Sequence, residues 1–225
     1  MRITRRVRNV DDFKNGNDWV KSYCKYSDDR VDYLSFSTLS GCRWESMKER
    51  TKSYGSVQRL NPCYIGVKNL FKDFNSFVEW SRAEFGYSNK DDSGKFWQLD
   101  KDLLTNTKVY STETCLFIPQ SLNKLFILPS NTNGFPIGVS VHSQAQNREN
   151  KYRAILYSGK TYQLGSFNEV MDAHRAWQKA KCSLIKEQMD IWRMSGHNKL
   201  FNSLEEKFLK IRSDIENFKE TKGYF

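Results

Sequence analysis

Histidine is scarce in this chain of 225 residues: His142, His174 and His197 are the three, and no two stand three or four positions apart. That is too few ligands of this type for a zinc hydrolase centre. Cysteine is also sparse. Cys24, Cys42, Cys63, Cys115 and Cys182 are odd in number and form no CxxC pair, which speaks against a zinc cluster or redox dithiol and for reduced thiols. The twelve glycines are scattered, so no glycine-rich phosphate loop exists. No apolar run is long enough to span a bilayer, and the stretch Met1 to Arg8 lacks the apolar core of a secretion signal. A cytoplasmic protein without a membrane partner is therefore expected.

Positive charge and aromatic side chains are plentiful. Thirty-six Lys and Arg against 26 Asp and Glu give a formal net charge of +10, which favours a polyanionic partner, most often nucleic acid. Fifteen Phe, eleven Tyr and six Trp exclude wholesale disorder. The length corresponds to roughly one to two domains.

Residues 1–40 form a polar, basic arm, read either as a frayed terminus or as a phosphate-contacting extension. From Cys42 to Lys52 the pattern predicts a short helix with Trp44 and Met47 on one face. A second helix is expected over Leu70 to Trp80, its stripe of Phe71, Phe74, Phe77 and Val78 turned to a core. Ser88 to Lys95 is a loop by composition. Strands are expected at Phe96–Asp100 and Thr114–Ile118, then a short helix from Gln120 to Phe126 behind Pro119. Pro129 to Pro136 is the clearest linker and the expected domain boundary.

Beyond it, Gly138–Val141, Lys151–Tyr157 and Thr161–Gly165 predict three strands, the last two joined by a tight turn. Ser166 with Glu169 reads as a capping box for a long helix ending at Gly196. Its apolar seam runs through Val170, Ala173, His174, Trp177, Ala180, Lys181, Leu184 and Gln188. Ser203 with Glu206 predicts the cap of a last helix reaching Lys219.

Several of these stretches carry a family likeness. Trp44-x-x-Met47-x-x-Arg50, Phe74-x-x-Phe77-x-x-Trp80, Trp97-Gln-Leu-Asp-Lys-Asp102 and Tyr110-Ser-Thr-Glu-Thr-Cys-Leu-Phe-Ile-Pro119 together resemble the phage-borne HNH endonucleases of the His-Me finger class. The pattern Gly138-Val, Lys151-Tyr-Arg-Ala-Ile, Gly159-Lys, Leu164-Gly-Ser-Phe, Ala173 and Ala176 is similar to the AP2 DNA-binding domain that many such enzymes carry. A narrower likeness within the class is to nicking endonucleases of phage satellites.

The resemblance implies an α+β chain in four parts: the arm at 1–40, a small ββα-metal nuclease domain at 41–130, an AP2-like three-stranded antiparallel sheet packed on a helix at 137–195, and a C-terminal helix at 196–225. It implies a metal-dependent, site-specific endonuclease that nicks double-stranded DNA as a monomer in a bacterial cytoplasm. In such enzymes a carboxylate ending the first strand and a residue on the following helix hold the cation. Asp100 and Asn123 match these positions, and two hard oxygen donors suit Mg²⁺ or another divalent cation.

The position of the family's histidine base is occupied by Lys101. An ordinary lysine is protonated at neutral pH and accepts no proton. Three readings stand: Lys101 stabilises the transition state while Asp102, Gln98 or a substrate phosphate handles the water; Lys101 is itself the base; or the site only binds DNA. Glu113 caps its loop or stands behind the metal, and Trp97 belongs to a core. On the AP2-like sheet, Arg148, Lys151, Arg153, Lys160, Tyr162 and Gln163 are the residues available to contact DNA, by reading bases or by holding phosphates. The alternatives to a nuclease are a repressor descended from one and, more remotely, an RNA-binding protein.

Overall fold

The structure is a computed structural model that describes residues 38–128, 134–142 and 149–224. The expected basic arm and Arg148 lie outside the described residues, as does much of the Pro129–Pro136 segment. The chain is mixed helix and sheet, and it divides into two compact units, the first ending at Ile118 and the second beginning at Pro119. This division precedes the proline-bounded segment that composition singles out.

The first unit is built on aromatic packing. Helix α1 (Leu39–Arg50) begins where the Thr38 hydroxyl accepts the Gly41 N–H, ahead of the expected start at Cys42. A short α2 (Ser56–Leu60) and a 3₁₀ turn (Pro62–Tyr64) lead to β1 (Lys68–Asn69). Helix α3 (Phe74–Ala83) starts four residues later than the stripe suggests, because Asp73 and Ser76 form a reciprocal capping box. Phe71 is left ahead of the helix yet is still buried with Phe74, Phe77 and Val78. These side chains pack with Trp44, Met47, Leu99, Tyr110 and Phe117 in one core. Phe77 and Phe117 are fully enclosed, each contributing about 2–3 kcal/mol of hydrophobic stabilisation.

Strand β2 (Gln98–Asp100) pairs antiparallel with β4 (Leu116–Ile118), and β3 (Val109–Tyr110) pairs in parallel with β1. The β2–β4 register sets Asp100 opposite Leu116 and Gln98 opposite Ile118. Successive side chains alternate across a strand, so Leu99 enters the core and Asp100 shares the other face of β2 with Gln98.

In the second unit, α4 (Gln120–Leu125) follows Pro119, which supplies the N-cap position. Strands β5 (Val139–Val141), β6 (Tyr152–Tyr157) and β7 (Thr161–Phe167) form a three-stranded antiparallel sheet in the order β5-β6-β7, packed on α5 (Val170–Met194). Val139 and Ala154 meet Ala173 of α5 in a small core. Gly138 approaches α5 so closely that an added Cβ would lie 2.2 Å from the Trp177 ring, and its φ of +79° also favours glycine. Between Ala154 and Ile155 the register with β7 shifts, leaving Leu164 as an extra residue beside Gly165, whose φ of +147° few other residues adopt.

Two capping expectations are overturned. Ser166 lies inside β7 opposite Arg153, so α5 starts at Val170 without a side-chain cap: strand pairing outcompetes the capping box. The last helix, α6 (Asn198–Glu216), is capped by His197, whose Nδ1 accepts the Leu200 N–H. Ser203 is buried within it and accepts a hydrogen bond from Lys207. The seam of α5 also drifts: beyond Lys181 the buried positions are Ile185, Met189 and Trp192, in place of the expected Leu184 and Gln188. Steps of three and four recover 3.6 residues per turn only on average, and packing against α6 selects the face.

His174 ties this unit together and makes it acid-sensitive. The side chain is fully buried, with Nδ1 2.8 Å from the Ile137 carbonyl and Nε2 accepting the Thr221 N–H at 3.0 Å. A nitrogen that accepts carries no proton, so the ring is neutral and Nδ1–H donates to Ile137. Burial holds its pKa below the ordinary 6.5. Because the folded value is the lower one, this stabilisation is complete above the unfolded value and is lost as pH falls below it. Thermal melting of the wild type should therefore drop between pH 7.5 and 5.5, and His174→Gln should flatten that drop. Equal slopes for the two proteins would contradict the assignment.

Candidate active site and nucleic-acid face

Asp100 closes β2 just where the chain turns. Its Oδ1 accepts the backbone N–H of Asp102 at 3.0 Å and of Leu103 at 2.7 Å, which fixes the carboxylate and shapes the turn. The residue is buried, and that burial pushes the carboxyl pKa up, against the pull of the Leu103 N–H; Asp102 raises it further.

Lys101 is unusual for its residue type: its side chain is 4% exposed, and its ammonium donates to Asp102 Oδ1. Nζ also lies 5.7 Å from the centre of the Tyr110 ring and 6.0 Å from that of Tyr64. Asp102 itself is well exposed. Arg50, the last residue of α1, completes the group. It donates from Nη1 to the Tyr110 hydroxyl at 3.3 Å, and its guanidinium lies 5.4 Å over the Tyr64 ring. The charge of Asp100 acts on Arg50, and burial pushes the Tyr110 phenol up to about 12.

Two cations, two carboxylates and two phenols thus meet at the end of one hairpin. Sequence alone singles out Asp100, Lys101, Asp102 and Gln98 as a group, and the structure brings the first three together, with Gln98 on the Asp100 face of β2. Arg50, Tyr64 and Tyr110 are not recognisable there as site residues, because they come from separate elements. Arg50 and Tyr110 do stand in stretches that carry the resemblance noted from sequence, which is the available signal. Glu113 is part of a local turn: it accepts from the Thr112 hydroxyl, and its N–H donates to Ser111 Oγ. Trp97 packs against the core as expected. Asn123 lies on α4, which belongs to the second unit, with its N–H donating to the Pro119 carbonyl. Among the described residues no group of three or more His, Cys, Asp or Glu stands together. Cys42, Cys63, Cys115 and Cys182 are free thiols.

On the three-stranded sheet, cross-strand partners share a face. Val139, Ala154 and Gly165 form one such row, turned to α5, with Val141, Tyr152 and Phe167 beside it. The row Ser140, Arg153 and Ser166 therefore lies on the opposite face, together with Ile155 and Gln163. His142 joins that face, its Nε2 3.4 Å from Ser166 Oγ. This sorts the candidate contacts. Arg153 and Gln163 share the face away from α5, whereas Tyr162 pairs with Leu156 and stands on the α5 side near the hairpin tip, beneath Lys160 at 5.0 Å. Lys151 is exposed just ahead of β6. Ser166 escapes the sequence pattern because the bulge hides the alternation of β7, and Ser140 and His142 because β5 is only three residues long. No helix among the described residues is long and apolar enough to cross a membrane. No protein-family model matches the chain, and neither the curated proteins nor the solved structures compared with it give a match.

Proposed function

We propose that the chain is a Mg²⁺-dependent DNA endonuclease that nicks one strand of a duplex, acting as a monomer. The observation that carries this reading is the carboxylate of Asp100: buried, anchored by two backbone N–H groups, and set beside the cationic Arg50 and Lys101. Burying a carboxylate costs stability unless a partner compensates its charge, and a divalent cation would be such a partner. In this reading β2 and β4 form the hairpin of a ββα-metal finger, and the sheet on α5 is AP2-like.

Asp100 is the hard oxygen donor that fits Mg²⁺. When bound, the ion would neutralise phosphate charge and acidify a water. Lys101 supplies fixed positive charge beside the phosphate, because its ammonium is held by donation to Asp102 and lies near the rings of Tyr64 and Tyr110. Gln98 orients the attacking water from the same face of β2, with Asp102 shaping its approach. The sheet face bearing Arg153 and Gln163 enters the major groove, where Arg suits guanine and Gln suits adenine.

A pool of supercoiled plasmids with randomised inserts should yield open circles with the protein and Mg²⁺, and none with chelator. Intact supercoils at every pH and with every divalent cation tried would refute the nuclease reading. Arg153→Ala should cost about 1–3 kcal/mol of affinity for the selected sequence and relax the preference at one base pair. Lys160→Ala should instead weaken all duplexes alike and reduce the salt slope by about one. Identical behaviour of the two variants would deny base reading by this face.

A second reading, a DNA-binding repressor without hydrolysis, is favoured by the Lys101–Asp102 ion pair, which engages both groups that would replace the missing imidazole. Tight, sequence-selective binding with no cutting from pH 6 to 9 would establish it.

A further inference from the structure

Arg50 is a cation held in place, among the described residues, by neutral groups. Among the described residues it makes no ion pair; its polar partner is the Tyr110 hydroxyl, and its guanidinium lies over Tyr64. Both phenols are neutral, since burial raises their pKa, so neither offsets the charge. Asp100 acts on Arg50 through its field, but its Oδ1 is committed to the backbone of the following turn.

The position of Arg50 is also built with care. It ends α1, and the fully buried Gln58 donates from Nε2 to the carbonyls of Glu49 and Arg50, each at 2.9 Å. Those carbonyls would otherwise be unpaired at a helix C-terminus. Backbone, guanidinium and stacking ring are thereby each fixed by a different element: α2, β3 and the 3₁₀ turn. An arginine retained only for packing would not need this support. Fixed donors beside a carboxylate that can hold a cation are what a tetrahedral anion requires on its second side.

We propose that Arg50, with Lys101 and the Tyr64 hydroxyl, forms a phosphate receptor next to Asp100, and that Arg50 is a catalytic residue gripping the scissile phosphodiester. Its role in catalysis rests on the nuclease reading above; its binding of phosphate does not. In the reaction, a water oxygen bonds to phosphorus while the P–O bond to one sugar breaks. The proton lost by the water is matched by one gained by the departing sugar oxygen, so one water is consumed and no oxidant or other reactant is needed. Negative charge accumulates on the non-bridging oxygens as the new bond forms, and Arg50 donates to them there.

The test uses the full chain and two variants, Arg50→Gln, which retains a donor toward Tyr110, and Tyr64→Phe, which deletes one hydroxyl and leaves the ring. Binding of inorganic phosphate, followed by ³¹P line broadening and by the rise in melting temperature, should weaken at least tenfold in Arg50→Gln and less in Tyr64→Phe. Single-turnover cutting should fall about 10²–10³-fold in Arg50→Gln, with duplex affinity nearly unchanged. Phosphate binding by Arg50→Gln equal to that of the wild type would overturn the receptor, whether or not the protein cuts DNA. Loss of phosphate binding in Arg50→Gln, with a wild-type protein that binds phosphate yet cuts nothing, would uphold the receptor and sink the nuclease reading instead. Wild-type cutting rates in Arg50→Gln would remove Arg50 from catalysis even if phosphate binding is lost.

Discussion

Asp100→Asn should abolish cutting while leaving the protein at least as stable as the wild type. The amide oxygen of asparagine can still accept the N–H groups of Asp102 and Leu103, so the turn after β2 survives. What disappears is the charge that would hold Mg²⁺. A metal contributes several kcal/mol of transition-state stabilisation, so the rate should fall by roughly 10³-fold or more, with duplex affinity within about twofold. The stability effect has the opposite sign. Burial raises the Asp100 pKa in the folded state, so its contribution is fully present below the ordinary carboxylate value and is lost as pH rises through the folded value. At neutral pH the wild type carries a penalty that Asp100→Asn lacks, and the variant should melt at an equal or higher temperature. A purely structural aspartate would give the reverse pattern, a less stable protein with proportionate loss of every property. Calorimetry and a nicking time course on one preparation separate the two.

Lys181→Met should stabilise the second unit by about 3 kcal/mol at pH 7. Lys181 is 1% exposed, with its ammonium donating to the Leu125 carbonyl and surrounded by Phe126, Trp177 and Tyr224. Burial pushes its pKa down to about 7 from the ordinary 10.5. Every tenfold loss of proton affinity corresponds to about 1.4 kcal/mol, and the lost hydrogen bond to Leu125 offsets about 1 kcal/mol of the gain. Since the folded value is the lower one, the lysine's contribution is fully present only above its unfolded value and falls away as pH drops toward 7. Wild-type melting temperature should thus climb from pH 7 to 9, and that of Lys181→Met should stay flat. Above this window the half-buried Cys182 thiol and the buried Tyr224 phenol, both with raised pKa, begin to act in the opposite direction. A destabilised methionine variant would mean that the bond to Leu125 outweighs desolvation.

The parts of this fold that are readable in advance are those where side-chain period and local chemistry agree. The Phe71–Val78 stripe, the β2 and β4 runs around Leu99 and Phe117, and the three strands β5, β6 and β7, the last two joined at Gly159, all emerge from sequence, with shifts of a few residues at their ends. The errors occur where two local signals compete. Ser166 carries a helix-capping pattern but pairs with Arg153, and Ser203 resembles a cap but sits mid-helix beneath Lys207. His197 gives no such signal, yet its ring does the capping. The candidate site divides in the same way. Asp100, Lys101 and Asp102 are neighbours in sequence and are found together, whereas Arg50 and Tyr64 reach them only through tertiary packing around Tyr110. No period or spacing encodes a contact between residues 50 and 110, so that half of the cluster emerges only from the folded chain.

The presence of a cation-binding phosphodiester centre is tested most directly by anomalous scattering from a crystal of the protein with duplex DNA and Mn²⁺. The expected result is a peak on the Asp100 carboxylate, with a DNA phosphate between that peak and the Arg50 guanidinium. A map whose Asp100 side chain carries no ion, with the duplex backbone lying elsewhere, would contradict the nuclease reading.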